Sequence, residues 1–393
     1  MIHEAPSNNY NMPHTNTLII GASFSGLALA ACLQKHRIDY VLIEKHHHVA
    51  SSWRAHYDRL HLHTNKRVSN LPYKKFGKEV PLYPTRLQVI EYLEDYQKTF
   101  NINPIFNTEA LSIRKEGDHW VVETNNGTYT SRYLIMATGV LNKPKPVNFK
   151  GMDTFPGKLI HSADYKTGKD FKGKKVLVVG FGNSACEIAI DLYEQGARPS
   201  MSVRSPVNVI PRDIMGIPIL ELSQFMSKLP PRLADKMNAP LMRLLIGDLT
   251  KFGLKKMPYG PFEEIYRDRN IPVMDVGTIK LIKKGAIKVH GEIDYINGHS
   301  VHFSDGTHEA FDNIVACIGF DHGSTSIAGI HQARFEDLKV KSSKQKLFGE
   351  DGLYFCGFWI GSTGHIREIG MEAKKIAKDI AKKEVQLKEL QIA

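Results

Sequence analysis

The chain has little cysteine. Only Cys32, Cys186, Cys317 and Cys356 occur in 393 residues, each alone. With no C-x-x-C pair, dithiol exchange and cysteine-based zinc sites are excluded, and no metal-ligating cluster stands out. No apolar run reaches the roughly 20 residues that cross a bilayer, and the polar opening "MIHEAPSNNYNMPHTN" has no signal pattern and reads as frayed. No membrane is therefore expected as a partner, and a cytoplasmic location is the default expectation. Low-complexity tracts are absent too. A composition of 42% hydrophobic and 24% charged residues suits a soluble protein of two or three domains. The formal charge is +11, but no basic stripe is interleaved with aromatic residues. The densest run, "MEAKKIAKDIAKKEVQLKEL", has the period of a helix with one solvated face. Nucleic acid is not expected; the excess charge suits polyanionic cofactors.

What is present begins at residues 21–26, "GASFSG". The dinucleotide fingerprint G-x-G-x-x-G uses its first glycine for a tight turn, its second for close phosphate approach and its third for helix–strand packing. Here Gly21 and Gly26 fill the outer positions and Ser23 the middle one. Serine is small, so the approach is crowded rather than blocked. Before the motif, Thr17-Leu18-Ile19-Ile20 reads as a buried strand; after it, "LALAACLQKH" reads as a helix. A second strand, Tyr40-Val41-Leu42-Ile43, ends in Glu44, an acid placed to accept from a ribose hydroxyl.

The same unit returns. Strand "KKVLVV" leads into "GFGNSACEIAIDLYEQG", where Gly180 and Gly182 take the first two positions and Ala185 the third, ahead of Asn183 and Ser184 in the helix start. Each copy is followed by a hairpin, around Asn126-Gly127 and Asn297-Gly298, and by a closing strand ending at Gly139 or Gly319. The expected fold is α/β, with two nested Rossmann-like dinucleotide-binding domains. Residues 1–150 form the first part of one domain, 151–312 the second domain, and 313–393 return to the first with a terminal helix. Residues 207–270 are a helical insertion, read either as the roof of a substrate pocket or as a hairpin that only packs.

The two units end differently. Glu44 would repel a 2′-phosphate, whereas Arg204, beside Ser205, suits one. The first site is expected to take FAD and the second NADPH. Hydride then passes from nicotinamide to flavin.

Between the units, "FPGKLIHSADYK" matches F-x-G-x-x-x-H-x-x-x-Y/F through Phe155, Gly157, His161 and Tyr165. In this the chain resembles the class B flavin-containing monooxygenases, over about residues 15–385. The stretches "ASSWRAHYDRLHLHTNKRVSNLP" and "PLYPTRLQVIEYLEDY", with "MATG" and "ACIGF", look most like the YUCCA-type members and their bacterial relatives. The resemblance implies oxygen addition at flavin C4a and transfer of one oxygen atom to a small substrate: indole, an indole-3-pyruvate-like carbonyl, or a soft nitrogen or sulfur centre. It also implies cofactor contacts at Trp53, Arg54, Thr138, Gly139, Gly319, Gly357 and Gly364, beside the fingerprint residues. Asn65, in "HTNK", resembles the asparagine that touches flavin and nicotinamide in animal and bacterial relatives, and pulls the reading towards general oxygenation. His161 reads as an interdomain structural residue, and His365 more as structural than as flavin-facing. Two other readings stay open, an NADPH oxidase releasing hydrogen peroxide and a non-catalytic redox sensor. So does a homodimer.

Overall fold

Strands buried on both faces organise the molecule. The computed structural model describes residues 14–139, 143–226, 228–268, 270–321, 349–359 and 361–392; most of the N-terminal stretch expected to fray lies outside them. The first sheet starts with β1 (His14–Ile20), α1 (Phe24–Lys35) and β2 (Tyr40–Ile43). After α2 (Arg86–Thr99) come β3 (Ala110–Glu116), β4 (His119–Thr124) and β5 (Gly127–Met136). The strand order is β2-β1-β5-β4-β3. The first half of β5 runs antiparallel to β4, and its last residues run parallel to β1 and to a late strand, Leu353–Phe355.

The second sheet contains β6 (Lys158–His161), β7 (Lys175–Val179), β8 (Arg198–Ser202) and β9 (Lys288–His290), with α3 (Asn183–Glu194) following β7. A meander of β10 (Ile293–Asn297), β11 (Ser300–Phe303) and β12 (His308–Ala310) leads to β13 (Asn313–Ala316). The sheet order is β9-β8-β7-β13-β6, all parallel. This corrects one sequence boundary. Asn313–Ala316, assigned to the return segment at 313, pairs with both β6 and β7 and completes the second sheet. The two copies also differ: meander and closing strand are continuous in β5 but split between β12 and β13 in the second unit. The insertion supplies α4 (Ile219–Met226), α5 (Pro231–Ile246) and α6 (Pro261–Asp268), and the chain ends in α7 (His365–Ile392).

Alternation along the parallel strands produces paired cores. Ile19, Leu42 and Ile135 face α1 and α7, while Leu18, Ile43, Leu134 and Met136 face the meander side with Trp120. In the second unit Val176, Val178, Met201 and Val315 pack with α3, while Leu177, Val179 and Ile314 pack under Val301 and Phe303. α7 buries Ile366, Ile369, Ala373, Ile376, Ala377 and Ile380, one helical stripe, with Lys374, Lys375 and Lys378 exposed on the other face. Within α7, Glu372 accepts the Gly357 N–H at 2.7 Å. Burial pushes its carboxyl up to about 7.

Two predictions follow from this packing. A Cβ on Gly26 would lie 1.9 Å from the Gly21 carbonyl oxygen, which is backbone and cannot swing aside. Gly26→Ala should cost about 1–3 kcal/mol or more in urea unfolding, against at most about 1 kcal/mol for Gly182→Ala. For Glu372 the folded state holds its proton more tightly than the unfolded one, so it favours folding less as pH rises from the ordinary carboxyl value of 4.5 through 7. Glu372→Gln should therefore gain stability over the native chain across that window, on the order of 3 kcal/mol; equal pH profiles for the two proteins would refute this.

Candidate active site

The two glycine turns show which positions the backbone itself demands. Gly21 has φ +106°, and a Cβ there would lie 2.8 Å from the Ala137 oxygen. Its N–H donates to Ile43 O at 2.8 Å. Gly180 repeats this with φ +115°, a clash at 2.5 Å with Cys317 O, and an N–H donated to Ser202 O at 2.9 Å. The middle positions are different. Ser23 has φ −112° and ψ −152°, a conformation open to any residue. Gly182 has φ −89°, and no atom lies within 4 Å of where a Cβ would project. Packing thus requires the first glycine in both units and Gly26 in the first, while the fully buried Ala185 fills the third position of the second. The open side above Gly182 fits a phosphate rather than a packing need.

Glu44 is 7% exposed. Its carboxylate accepts the Ala22 N–H at 2.7 Å, the His46 N–H at 3.1 Å and the Ser51 hydroxyl at 3.3 Å. The turn therefore fixes the acid at the end of β2. The matching hydrogen bonds of Gly21 and Gly180 align Ile43 with Ser202, so Glu44 corresponds to Val203 and Arg204 stands one residue farther. The Arg204 side chain is 73% exposed and lies 3.7 Å from Glu292, with Ser205 also exposed.

The two units meet around a cavity of about 500 Å³. Its floor takes Ser23, Phe24 and Ser25 from the α1 start, Asn183 and Ser184 from the α3 start, and Gly364, His365 and Ile366 from the α7 start. Three helix N-termini thus present amide N–H groups and positive dipole ends to one space, an arrangement suited to anionic cofactors. Trp53, Thr138, Gly139 and Gly357 also line it. The Thr138 hydroxyl is buried with no partner among the described residues. Asn65 is fully buried behind Thr64; its Oδ1 accepts the Arg67 N–H at 3.0 Å, and its Nδ2 has no partner among the described residues. Of these two, Thr138 lies in the cavity wall, where a bound ligand can complete its hydrogen bonding. The residues present therefore fit a flavin and a pyridine nucleotide. Overhead, Ile210, Leu220, Leu241, Met242, Phe262 and Ile265 close the cavity. Residues of the insertion thus line this cavity.

Several residues named from sequence lie elsewhere. Gly21, Gly26, Glu44, Gly180 and Gly182 stand behind the turns, outside the cavity wall, and Arg204 and Ser205 sit beyond the end of β8. Arg54 turns away to pair with Glu94 and to donate to Val49 O at 3.2 Å. Gly319 lies at the crossing between units, where His161 Nε2 meets its carbonyl oxygen at 3.1 Å. The Ala163 N–H donates to His161 Nδ1, which leaves Nε2 as the donor to Gly319 and fixes His161 as a structural tie. His365 bonds Trp359 O through Nδ1 at 3.2 Å, and burial lowers its basicity. The cysteines are free, and burial pushes Cys32 up to about 11 and Cys317 up to about 12, away from reactive thiolate character. Sequence reasoning missed His56 and His63, which line the cavity. The histidine-rich "LHLHT" beside Asn65 was the available signal.

Among the described residues no helix is long and apolar enough to cross a membrane, and no His/Cys/Asp/Glu group could hold a metal ion. The family described as "Pyridine nucleotide-disulphide oxidoreductase" matches residues 18–213. Among solved structures, a flavin-containing monooxygenase from Stenotrophomonas maltophilia superposes with a TM-score of 0.70 at 18% identity, covering 94% of this chain and 98% of that one. A caprolactone-bound cyclohexanone monooxygenase gives 0.72 at 18% identity, covering 95% and 89%. Sequence likeness is much higher to "Indole-3-pyruvate monooxygenase YUCCA6" of Arabidopsis thaliana, 40% identical over 94% of this chain and 90% of the relative. "Indole-3-pyruvate monooxygenase YUCCA1" of Oryza sativa subsp. japonica is 36% identical over 92% and 90%. The chain belongs to the class B flavin monooxygenases, in the YUCCA family of indole-3-pyruvate monooxygenases.

Proposed function

We propose that this enzyme uses NADPH and oxygen to oxygenate a 2-oxo acid with an aromatic side chain, of the indole-3-pyruvate class. The carrying observation is that three helix N-termini and an apolar roof line the same cavity. The names of the curated relatives support the substrate class, against the drift towards general oxygenation that Asn65 suggested. In this reading an aromatic ring lies beneath Leu220, Leu241 and Phe262, which offer it apolar surface, with its polar tail towards the helix starts. The same reading puts the enzyme in the cytoplasm.

Bound FAD supplies the redox chemistry, accepting hydride from NADPH and activating oxygen. The chain's own residues bind, orient and keep water out. The α1 amides after Gly21 receive the FAD pyrophosphate, and Glu44 accepts from its adenosine ribose. The α3 amides after Gly182 receive the NADPH pyrophosphate, and Arg204 takes the 2′-phosphate in place of Glu292. The Thr138 hydroxyl is a donor held ready at the cavity wall, and Asn65 Nδ2, with no partner among the described residues, is a donor behind that wall, next to Thr64. Phe24, Ile366, Ile369 and the roof exclude water, which protects a reactive oxygen species from loss as peroxide.

The direct test is product analysis with indole-3-pyruvate, indole, trimethylamine and a thioether, comparing NADPH consumed with peroxide released. Indole-3-acetate formed in near-stoichiometric yield is expected; peroxide alone with every substrate would contradict the proposal. Asn65→Ala should raise the peroxide fraction severalfold without loss of FAD. Arg204→Ala should raise the KM for NADPH by about 10- to 100-fold, the worth of a charged hydrogen bond, and leave that for NADH nearly unchanged. Equal effects on the two coenzymes would remove Arg204 from that role.

A further inference from the structure

Four histidines line the cavity: His56, His61, His63 and His365. Their partners separate them. His365 is bonded to a backbone carbonyl, and so is His61, whose Nδ1 lies 2.6 Å from Arg59 O. Burial, Lys166 and Arg86 lower the basicity of His56. Only His63 has a carboxylate behind it among the contacts of these four. Its Nε2 lies 3.1 Å from Glu187 Oε1, on a side chain only 2% exposed.

Glu187 comes from α3, the helix assigned to the pyridine nucleotide, whereas His63 lies on the loop that also carries Asn65. The other carboxylate oxygen accepts Arg59 Nη1 at 3.0 Å, and Arg59 in turn holds Glu194 through Nε at 2.9 Å and Nη2 at 3.1 Å. Tyr57, with a Ser184 hydrogen bond, packs nearby and stays a neutral phenol, its ionisation suppressed by burial and by Glu187. The groups facing His63 are thus Glu187 from α3, with Glu194 reached through Arg59; Tyr57, Arg59 and His61 from its own loop; and His365 from α7 across the cavity. Nε2 is occupied by Glu187, so Nδ1 is the ring atom left for the cavity.

We infer that His63 is the proton-relay residue of the cavity and that Glu187 is its positioning residue. This rests on the proposed NADPH-dependent reaction, whose balance needs one proton from solvent: NADPH, H⁺, oxygen and the 2-oxo acid give NADP⁺, water, carbon dioxide and the carboxylate one carbon shorter. One oxygen atom enters that carboxylate as the bond to the departing carboxyl carbon breaks. The hydride carries two electrons and one hydrogen; the second hydrogen of the departing water must arrive as a proton through a cavity built to exclude water. His63 gives that proton from Nδ1 and regains one from solvent, while the Glu187 carboxylate accepts from Nε2 and holds the ring in place.

The test uses the holoenzyme with FAD bound. His63→Gln should lower kcat by about 100-fold or more and steepen its fall at high pH. FAD content and the KM for NADPH should stay near native. Added imidazole should restore turnover of His63→Ala in proportion to its protonated fraction. In ¹⁵N-histidine spectra the His63 Nε2 resonance should move away from its native hydrogen-bonded position in Glu187→Gln, while the Nδ1 resonance changes less. Unchanged kcat in His63→Gln, or loss of FAD and NADPH binding with no imidazole rescue, would overturn the relay. An enzyme that released only peroxide would sink the proposed oxygenation and leave this test readable, because NADPH, H⁺ and oxygen giving NADP⁺ and hydrogen peroxide also consumes one solvent proton.

Discussion

A backbone contact that leaves no room for a side chain sets everything else in place. The Gly21 carbonyl lies so close to Gly26 that α1 can descend onto β1 only if residue 26 is glycine, and the positive φ of Gly21 then turns the helix start into the cavity. The second unit repeats the first half of this constraint at Gly180, against Cys317 O. The first turns of α1 and α3 both face one cavity, where the free N–H groups that any helix start carries can meet a ligand. α7 arrives from the far end of the sequence to add a third. The site is therefore a by-product of how each helix is forced to begin.

The fold was legible because two copies of one pattern were present. Apolar runs at 17–20, 40–43 and 174–179 had to be strands buried on both faces, and the paired cores on either side of each sheet are the physical form of that reading. The closing strand of the second copy, ending at Gly319 in the sequence, is β13, which pairs with β6 and β7; the sequence boundary at 312/313 fell just before it, although the repeat placed it in the second unit. The serine in "GASFSG" is explained by its extended dihedrals: the middle position asks for a small residue, not for glycine's conformational freedom.

The candidate site was less legible, because its members are distant in sequence and chosen by packing. Ser23, Thr138, Asn183 and Gly364 could be named from motifs, and they come together at one cavity. The roof could be placed on the insertion but not resolved into residues, since the apolar face of an amphipathic helix can pack on either the cavity or the core and only the tertiary arrangement decides which. The Glu187–His63 contact joins two units and has no sequence spacing to announce it. Arg54 shows the reverse case, a motif-adjacent cation whose nearest acid, Glu94, lies on a different helix.

The account stands on two nucleotide sites that share one space closely enough for hydride to pass between them. Anaerobic mixing of the purified flavoprotein with NADPH deuterated at the transferring position measures this without any substrate. The yellow absorbance should bleach in a single enzyme turnover, more slowly with deuterium than with hydrogen. Flavin that stays oxidised under NADPH, or a protein that retains no flavin, would contradict the arrangement of the two units described above.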